Sequence, residues 1–391
     1  MKIAHVEFYY LASDVIYNVG DGSQDALLVH VIMDDNSEGW GECEAAPLVS
    51  IAAWCCPMSH LACKPLKDTV LGFEINTPAD IYALTEAVRR NSFDLLQADH
   101  TLSGIDIALW DMLGRKTGQP VWKLLGYEKS YPKIAYASQL FGDTPQQTYE
   151  KAVQSRNAGF RAAKFGWGPF GQGSVELDNE HIRAAREGLG QDMALMIDAG
   201  TIWVNDVERA AAVLPTLLEC RTVWLEEPFT SGALKEYAAL AGKPGCSKLL
   251  AGGEGAHNPD MAFNLIDFGK VGFIQIDTGR IGGITSAKMA AEYAEKNNVT
   301  YVNHTFTTPL ALSASIHPFA GLKDSVWCEY PVESREVART LTTELILPDA
   351  NGEIILPDAP GLGLEVNHQC IERFGRQVAI EYENQTIWSS K

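Results

Sequence analysis

The chain has 391 residues, with 31 Lys and Arg against 50 Asp and Glu, so its formal net charge is −19. Its 46% hydrophobic and 21% charged residues are typical of a globular protein, long enough for a barrel and a smaller domain. The acidic balance disfavours binding to nucleic acid or an anionic membrane, and no apolar run is long enough for a signal sequence or a membrane span, which predicts a cytoplasmic protein.

The first predicted elements are the strands of a small antiparallel sheet. Lys2–Tyr10 alternates in part, Ala26–Met33 is apolar and β-branched, and Gly39–Glu42 follows a turn. Tyr17–Asp25 is rich in turn residues, and Leu48–Cys63 is apolar but irregular. Both segments are predicted to be surface loops, the second covering either a neighbouring domain or a ligand pocket.

The next predicted element is an amphipathic helix that starts near Thr101. Apolar residues recur there at helical spacing, with Ser103 placed to cap the helix and Asp106 at the third helical position. The helix is expected to end near Gly114 or Gly118.

After Pro132, short apolar strands alternate with helical patterns. From Lys164 onward the strand ends are 23 to 34 residues apart, which is enough for one strand, one helix and two loops. Eight such ends predict a parallel (β/α) barrel with its active residues at the carboxyl ends of the strands. The predicted strand ends are Ser138, Lys164, Asp198, Glu226, Glu254, Asp277, His304 and Glu329.

Three acids in successive units indicate a metal site. Asp198, Glu226 and Glu254 each follow an apolar run, so each is predicted at the mouth of its strand. Three converging carboxylates repel one another unless a cation lies between them, and oxygen ligands favour Mg²⁺. A lone acid would more often cap the next helix, but three in register favour a metal.

The following two units predict a base. Asp277 and His304 end adjacent strands, and a carboxylate bonded to one imidazole nitrogen raises the basicity of the other. Lys164 supplies a fixed positive charge across the barrel. A single buried histidine is usually a packed core residue, so the inference depends on Asp277 and the three acids together.

The motifs around these residues resemble the enolase superfamily and, within it, the mandelate racemase subgroup. That resemblance implies a modified TIM (β/α) barrel with an α+β capping domain. It also implies a reaction that removes the proton α to a carboxylate to give a Mg²⁺-stabilised enediolate. The motifs that carry it are SGIDIALWDMLGRKTGQPVWKLLG, GFRAAK, WLEEP, DTGRIGGIT and Cys328-Glu329-Tyr330.

The predicted organisation is an amino-terminal capping domain at 1–130, a barrel at 131–330, and a carboxyl-terminal segment at 331–391 that returns to the capping domain. We expect a homo-oligomer that acts on a small-molecule carboxylate, an acid sugar.

The resemblance assigns roles to individual residues. Asp198, Glu226 and Glu254 resemble the ligands of one Mg²⁺ per subunit. Glu329 resembles the acid that contacts the substrate carboxylate or the enediolate, and Lys164 resembles a lysine that helps to hold that carboxylate.

Asp277 and His304 resemble the His-Asp dyad of the family. The family has a second lysine as a base on the opposite face, and Gly166 occupies that position here. Racemisation or epimerisation is therefore disfavoured. One histidine suffices to remove the α-proton and protonate a departing β-hydroxyl, so we rank acid-sugar dehydratase first. Cycloisomerisation of a sugar lactone or anhydro-sugar acid by the same base ranks second.

The substrate contacts are less well defined. The metal-ligand strand of the subgroup often continues Asp-x-Asn, whereas here Gly200 replaces that amide. Candidates for substrate binding, besides Lys164, are Trp167, His257, Tyr17 and Trp54.

Two rival interpretations remain. Gly166–Gly171 satisfies G-x-G-x-x-G, a dinucleotide-binding pattern, but Pro169 removes a backbone N–H, and a nicotinamide site leaves the other acids unexplained. A non-catalytic regulatory homologue is also compatible with the missing second lysine. Retention of the costly acid cluster argues against it.

Overall fold

The amino-terminal part of the protein is an antiparallel sheet in the computed structural model, which describes residues 1–44 and 46–390. Its strands are β1 (Ile3–Ala12), β2 (Asp25–Met33) and β3 (Glu38–Cys43), paired in that order. The aliphatic run in β2 is buried almost throughout, which explains why this strand shows no polar alternation. The predicted small sheet is therefore confirmed.

Helices pack on this sheet to complete a capping region. A Cβ atom on Gly41 of the third strand would lie 2.1 Å from the carbonyl oxygen of Gly104, so glycine is required for this close helix–strand contact. The helices are α1 (Pro47–Cys55), α2 (Lys67–Val70), α3 (Pro78–Asn91), α4 (Ala98–Thr117) and α5 (Val121–Leu124).

The prediction of a loop over Leu48–Cys63 is wrong for the first half of that segment, because helix α1 occupies it. Pro47 fits the first turn of that helix. Ile51 and Trp54 are buried in the hydrophobic core of the cap, and the Trp54 ring centroid lies 5.5 Å from that of Phe8. Burial of these side chains stabilises a helix where the sequence shows little amphipathic pattern.

Helix α4 begins earlier than predicted, at Ala98. Ser103 and Asp106 therefore lie inside the helix and do not cap it. The Asp106 carboxylate instead accepts a hydrogen bond of 3.0 Å from the backbone N–H of Thr285, a barrel residue. The predicted end near Gly118 is confirmed, since Gly118 follows the last helical residue with a φ of 67°.

Eight parallel strands form a nearly closed barrel, as the strand spacing predicts. Backbone pairing joins β11 to β4 and then each strand to the next as far as β10. Between β10 and β11, the N–H of Glu329 donates to Asn303 Oδ1 at 2.9 Å. The strands are β4 (Lys133–Leu140), β5 (Ala162–Gly166), β6 (Ala194–Asp198), β7 (Thr222–Glu226), β8 (Leu250–Gly252), β9 (Phe273–Asp277), β10 (Thr300–His304) and β11 (Trp327–Pro331).

Helices connect the barrel strands, and polar side chains fix where several of them begin. Thr144, Ser174, Asp206, Asn258 and Thr308 each accept a hydrogen bond from a backbone N–H in the first turn. The helices are α6 (Pro145–Asn157), α7 (Val175–Leu189), α8 (Val207–Ala211), α9 (Leu214–Glu219), α10 (Leu234–Ala241), α11 (Pro259–Asn264), α12 (Gly283–Lys296) and α13 (Pro309–Ile316).

A layer of buried side chains fills the barrel interior beneath the strand ends. Trp224 lies two residues before Glu226, and Val302 lies two residues before His304, so each pair faces the same side of its strand. The strand ends therefore direct their polar side chains inward above an apolar layer. That layer consists of Tyr136, Ala162, Met196, Trp224, Ala251 and Val302.

The carboxyl-terminal segment contacts both the barrel and the cap. Strand β12 pairs with β4 of the barrel, α14 packs against β2, and α15 packs against β1. In the described part of the chain, no helix is long and apolar enough to cross a membrane. The elements of the segment are α14 (Glu336–Arg339), β12 (Glu353–Ile354), α15 (His368–Phe374), β13 (Ala379–Tyr382) and β14 (Gln385–Ser389).

Candidate active site

His304 and Asp277 end neighbouring strands and form a hydrogen-bonded pair. The parallel register of β9 and β10 sets them side by side, and His304 Nδ1 lies 2.7 Å from Asp277 Oδ2. The other Asp277 oxygen accepts from the N–H of Gly279 at 2.7 Å. Asp277 is thus fixed by the backbone and in turn orients the imidazole ring.

The second nitrogen of His304 also faces a carboxylate. Nε2 lies 2.9 Å from Glu254 Oε2 and 3.9 Å from Glu329 Oε2. Burial opposes protonation of the ring, but the charges of Glu254 and Glu329 and the bond to Asp277 outweigh it and hold the pKa of His304 well above its usual value. Both ring nitrogens of His304 therefore lie within hydrogen-bond distance of a carboxylate, an arrangement that favours the protonated ring, which has two donors.

Lys164 of β5 is a buried cation on the other side of Glu329. Its Nζ lies 2.6 Å from Glu226 Oε1 and 2.7 Å from Glu329 Oε1. Glu329 is held further by the Ser138 hydroxyl at 2.8 Å and the Thr305 N–H at 2.7 Å. Burial opposes the charge of Lys164, but the neighbouring carboxylates outweigh it and hold its pKa well above the usual value.

The three acids predicted as metal ligands lie on three successive units of the barrel. Asp198 and Glu226 are paired at the ends of β6 and β7, and Glu254 follows β8 by two residues. A Cβ atom on Gly166 would lie 2.7 Å from Asp198 Oδ2. Gly166 therefore provides the space that the Asp198 carboxylate occupies.

The donor chemistry of these acids fits Mg²⁺. Burial, and then the charge of Glu226, raise the pKa of Asp198 well above its usual value, and burial raises that of Glu226. A divalent cation would relieve this unfavourable ionisation, and oxygen-only ligands suit Mg²⁺. In residues 1–44 and 46–390, however, no three Asp, Glu, His or Cys side chains converge as ligands of one ion. Instead, Lys164 contacts a carboxylate oxygen of Glu226, and His304 contacts a carboxylate oxygen of Glu254.

Arg280 and Glu44 belong to the same cluster, although neither was predicted. Arg280 Nη2 lies 3.1 Å from Glu44 Oε1, and Nη1 lies 3.4 Å from Glu254 Oε1. The Glu44 N–H donates to the Gly279 carbonyl at 3.1 Å, which joins cap to barrel. A sequence signal existed for Arg280, which follows Asp277 by three residues, whereas Glu44 follows the strand EGWGEC, which is buried but not apolar in sequence.

A cavity of about 340 Å³ lies between the barrel mouth and the cap. Trp167, predicted to contact substrate, lines it and lies against Gly20 of the cap. The cavity is lined from the barrel by Ser138, Gln139, Leu140, Lys164, Gly166, Trp167, Asp198, Glu254, Arg280, His304 and Phe306, and from the cap by Val19, Gly20, Asp21, Gly22, Asp25, Glu44 and Ala46.

The structure does not bring the other three predicted substrate contacts to this cavity. Tyr17 is exposed and lies beneath the guanidinium of Arg335, 5.4 Å from ring centroid to carbon. Trp54 is buried in the core of the cap. His257 lies 2.7 Å from His100, between ring nitrogens, and lines a different cavity.

The glycine pattern of the dinucleotide interpretation forms part of this site. Gly166 accommodates Asp198, and Phe170 is buried against Phe141 with the two rings stacked 4.8 Å apart. Helix α7 begins only at Val175, beyond the pattern. The loop therefore does not lead directly into a helix N-terminus, which the dinucleotide fingerprint requires.

Comparison with known proteins gives two family matches. Residues 19–126 match the amino-terminal domain of the mandelate racemase / muconate lactonizing enzyme family. Residues 147–370 match the enolase C-terminal domain-like family. Together the matches include the cap loop that borders the cavity and all the strand-end residues from Lys164 to Glu329.

Individual relatives agree with these matches. A crystal structure of a predicted mandelate racemase from Rhodobacter sphaeroides superimposes with a TM-score of 0.95 at 52% identity, covering 100% of this chain and 99% of that one. D-galactarolactone cycloisomerase of Agrobacterium fabrum is 29% identical over 89% of this chain and 90% of its own. Arabinonate dehydratase of Saccharolobus solfataricus is 26% identical over 70% of this chain and 71% of its own.

Proposed function

The chain belongs to the enolase superfamily, in its mandelate racemase / muconate lactonizing enzyme group, and from this premise we propose that it is a Mg²⁺-dependent acid-sugar dehydratase. The reaction removes the proton α to the carboxylate of an aldonate or aldarate and then eliminates water from the β-carbon. The observation that carries the proposal is the pairing of His304, at the wall of the cavity, with Asp277, whose Oδ2 lies 2.7 Å from His304 Nδ1. Acid-sugar dehydratases and cycloisomerases among the relatives support it.

His304 is the base in this proposal. Its Nδ1–H donates to Asp277, so Nε2 is the nitrogen that takes the α-proton. Proton removal needs the neutral ring, and the contact between Nε2 and Glu254 therefore has to open before the reaction. The resulting imidazolium is stabilised by the Asp277 carboxylate.

Lys164, which Glu329 helps to hold in place, orients the substrate carboxylate. Lys164 is buried and held by two carboxylates, so its position changes little when substrate binds. Its charge stabilises the carboxylate oxygens as they become more negative. Mg²⁺, held by Asp198, Glu226 and Glu254, would supply further positive charge to the same oxygens when bound.

The elimination uses the same histidine. The His304 imidazolium returns its proton to the departing β-hydroxyl, so both proton transfers take place on one face of the substrate. The opposite side of the cavity has Gly166 where a second base would be needed. The product is a 2-keto-3-deoxy acid.

Cycloisomerisation of a sugar lactone or anhydro-sugar acid is the second candidate. It is favoured by the D-galactarolactone cycloisomerase relative, which matches nearly the whole chain. His304 would remove the α-proton in the same way, but the departing group would be a ring oxygen. The two candidates differ only in what leaves the β-carbon.

A substrate panel tests both candidates. Purified protein with Mg²⁺ is incubated with aldonates, aldarates and their lactones, and 2-keto acids and ring isomers are measured separately. We expect one compound class to be converted, with activity lost on exhaustive chelation and restored by added Mg²⁺.

Glu226→Gln should abolish turnover with the fold intact, because the amide keeps the size of the side chain and one acceptor oxygen for Lys164 or Trp224 but binds a cation more weakly than the carboxylate does. Activity that survives chelation would refute the metal assignment. Micromolar NAD(P)H binding by fluorescence without acid-sugar turnover would favour the dinucleotide interpretation.

A further inference from the structure

A second, much smaller cavity lies between the cap and the His304–Asp277 pair. Its volume is about 10 Å³, close to the roughly 10–15 Å³ that one water molecule requires. It is separate from the large cavity at the barrel mouth, and Asp277 lines only the small one. The cap contributes Glu42 of β3 to its wall, and the barrel contributes Asp277, Thr278, Thr305 and Thr307.

Four polar side-chain atoms at this small cavity lack a hydrogen-bond partner among the described residues. They are Glu42 Oε1 and the Oγ1 atoms of Thr278, Thr305 and Thr307. None of these four residues is more than 6% exposed. Buried polar groups are normally hydrogen-bonded, and cavities that stay empty are normally apolar. A polar cavity of this size is therefore suited to one water molecule, which typically makes about three hydrogen bonds.

Asp277 can bind the same water molecule. Its two carboxylate oxygens already contact the Gly279 N–H and His304 Nδ1, at 2.7 Å each. A carboxylate oxygen has two lone pairs, so each of them can accept one further hydrogen bond. Asp277 can only accept, whereas a threonine hydroxyl can donate or accept. A water in this cavity can therefore donate to Asp277 while it accepts from a hydroxyl group.

Glu42 is the residue that would connect this water to the cap. Its Oε2 accepts from the Thr308 hydroxyl, which leaves Oε1 available to the cavity. Burial raises the pKa of Glu42 to about 8, although the hydroxyls of Thr308 and Thr307 act in the opposite direction. Protonated Glu42 can donate from Oε1. Hydrogen bonds can then run from Glu42 through the water to Asp277.

We propose that the small cavity holds one ordered water molecule that joins Glu42 to Asp277, and that Glu42 and Thr307 are thereby positioning residues for His304. This rests on the proposed function, in which Asp277 orients the His304 ring. A third donor restrains the Asp277 carboxylate further, from the side of the cap. The direction in which His304 presents Nε2 to the substrate therefore depends on a residue of the other domain.

A crystal structure that resolves ordered waters tests for this water directly, without any assay of turnover. We expect one density peak in the small cavity, with at least three oxygen neighbours at about 2.7–3.0 Å, as in O–H···O hydrogen bonds. An empty cavity would overturn the proposal. So would a metal ion, whose oxygen ligands lie at about 2.0–2.6 Å.

Substitutions at Thr307 test the positioning role. Thr307→Val removes the hydroxyl and should lose the water. We expect it to lower kcat and α-proton exchange about 10-fold with KM unchanged, because the base is displaced and Thr307 does not line the substrate cavity. Thr307→Ser keeps a hydroxyl and should restore most of this loss. The matched control is Thr222→Val, because Thr222 Oγ1 is also buried and unpartnered among the described residues but lies at the start of β7, outside both cavities.

Substitutions at Glu42 give an independent check. The amide N–H of Glu42→Gln can donate to the water in place of the acid, whereas Glu42→Met can neither donate nor accept in this way. The glutamine variant should therefore bind the water and have the higher kcat of the two. Thermal unfolding shows whether each variant is folded. If Glu42→Met does not fold, the comparison of Thr307→Val with Thr307→Ser still decides the matter.

The outcomes separate this proposal from the proposed function. Loss of the water in Thr307→Val with unchanged kcat and exchange would overturn the positioning role. An equal loss of kcat in Thr307→Ser and Thr307→Val would attribute the effect to packing and would overturn that role as well. Absence of turnover and of α-proton exchange with every acid sugar would refute the proposed function, while the crystal structure would still decide whether the water binds.

Discussion

The two sides of the cavity differ in the chemistry that they offer to a substrate. On the side formed by β9 and β10, His304 is hydrogen-bonded to Asp277 and can exchange a proton. On the side formed by β5, Lys164 is held between two carboxylates, and Gly166 lies two residues further along the strand. One side is suited to proton transfer and the other to holding charge.

The side without a base is occupied by Asp198. A side chain at position 166 would begin with a Cβ 2.7 Å from Asp198 Oδ2 and 2.8 Å from Asp198 Cβ. In this structure the Asp198 side chain, a proposed metal ligand, therefore fills the space that a second base would need. A side chain at position 166 would have to displace it.

Removing the base should have the largest effect. We expect His304→Asn to lower both α-proton exchange and product formation by about 10⁴-fold, because general base catalysis supplies up to that factor. Deuterium incorporation measured by NMR checks this. The control is His257→Asn, which removes a histidine outside the cavity. Exchange at the wild-type rate in His304→Asn would show that another group is the base.

Removing the cation on the other side should cost less. Lys164→Met is expected to lower kcat by about 10³-fold and to raise KM, because the lysine contacts oxygens that gain charge in the transition state. Steady-state kinetics check this, with Lys151→Met as a control, since Lys151 pairs with Glu333 and does not line the cavity. A change in KM alone would mean that Lys164 only binds substrate.

A methyl group at position 166 should have a smaller effect. Gly166→Ala is expected to reduce activity about 10²-fold and to weaken Mg²⁺ binding, because the added carbon displaces the Asp198 side chain. Calorimetric titration with Mg²⁺ measures the second effect independently of turnover. At Gly232 an added Cβ meets no atom of the described residues within 4 Å, so Gly232→Ala is the matched control. Unchanged Mg²⁺ affinity in Gly166→Ala would show that cation binding by Asp198 does not depend on the space at position 166.

The last expected effect is on stability and not on activity, and it concerns a buried acid on the cap side of the dyad. Burial raises the pKa of Glu42 to about 8, and its carboxyl bonds to Thr308. In the unfolded chain the same carboxyl loses its proton at about pH 4.3. The stability that the neutral Glu42 contributes to the fold is therefore fully present below that pH and is lost as the pH rises to about 8.

Glu42→Gln lacks the charge and should not show this loss. The difference in free energy of unfolding between Glu42→Gln and the wild type should grow, in favour of the variant, by up to about 1.4 kcal/mol per pH unit between about pH 4.3 and 8. Urea unfolding between pH 5 and 8 measures the difference. Glu187→Gln, at an exposed position of α7, is the control. Parallel pH curves for wild type and Glu42→Gln would contradict the buried neutral acid.

The parts of the fold that sequence could predict are those with a repeated local signal. Short apolar runs that end in a polar residue located the barrel strands, and Asp198, Glu226, Asp277 and His304 are the last residues of theirs. The helix α1 was missed because its sequence is apolar on most sides, and only burial in the cap decides between helix and loop. The position of Trp54 in the core of the cap could not be predicted for the same reason, since local sequence does not reveal which surface a segment covers.

Side-chain directions limited the prediction of the site. Arg280 lies in a motif that was recognised, but its reach to Glu44 depends on how the cap rests on the barrel. His257 was a reasonable candidate by position, yet it turns toward His100 of the cap and lines another cavity. Contacts between domains of this kind join residues more than 150 positions apart, and no local pattern encodes them.

The stereochemistry of proton transfer tests the difference between the two sides most directly. Substrate recovered after partial reaction in deuterated buffer is examined by NMR for α-deuterium and for the α-epimer. With a base only at His304, we predict that any recovered substrate keeps its original configuration, whether or not it has exchanged. Formation of the α-epimer at a rate comparable with product formation would contradict the account, because it requires a proton donor on the Gly166 side.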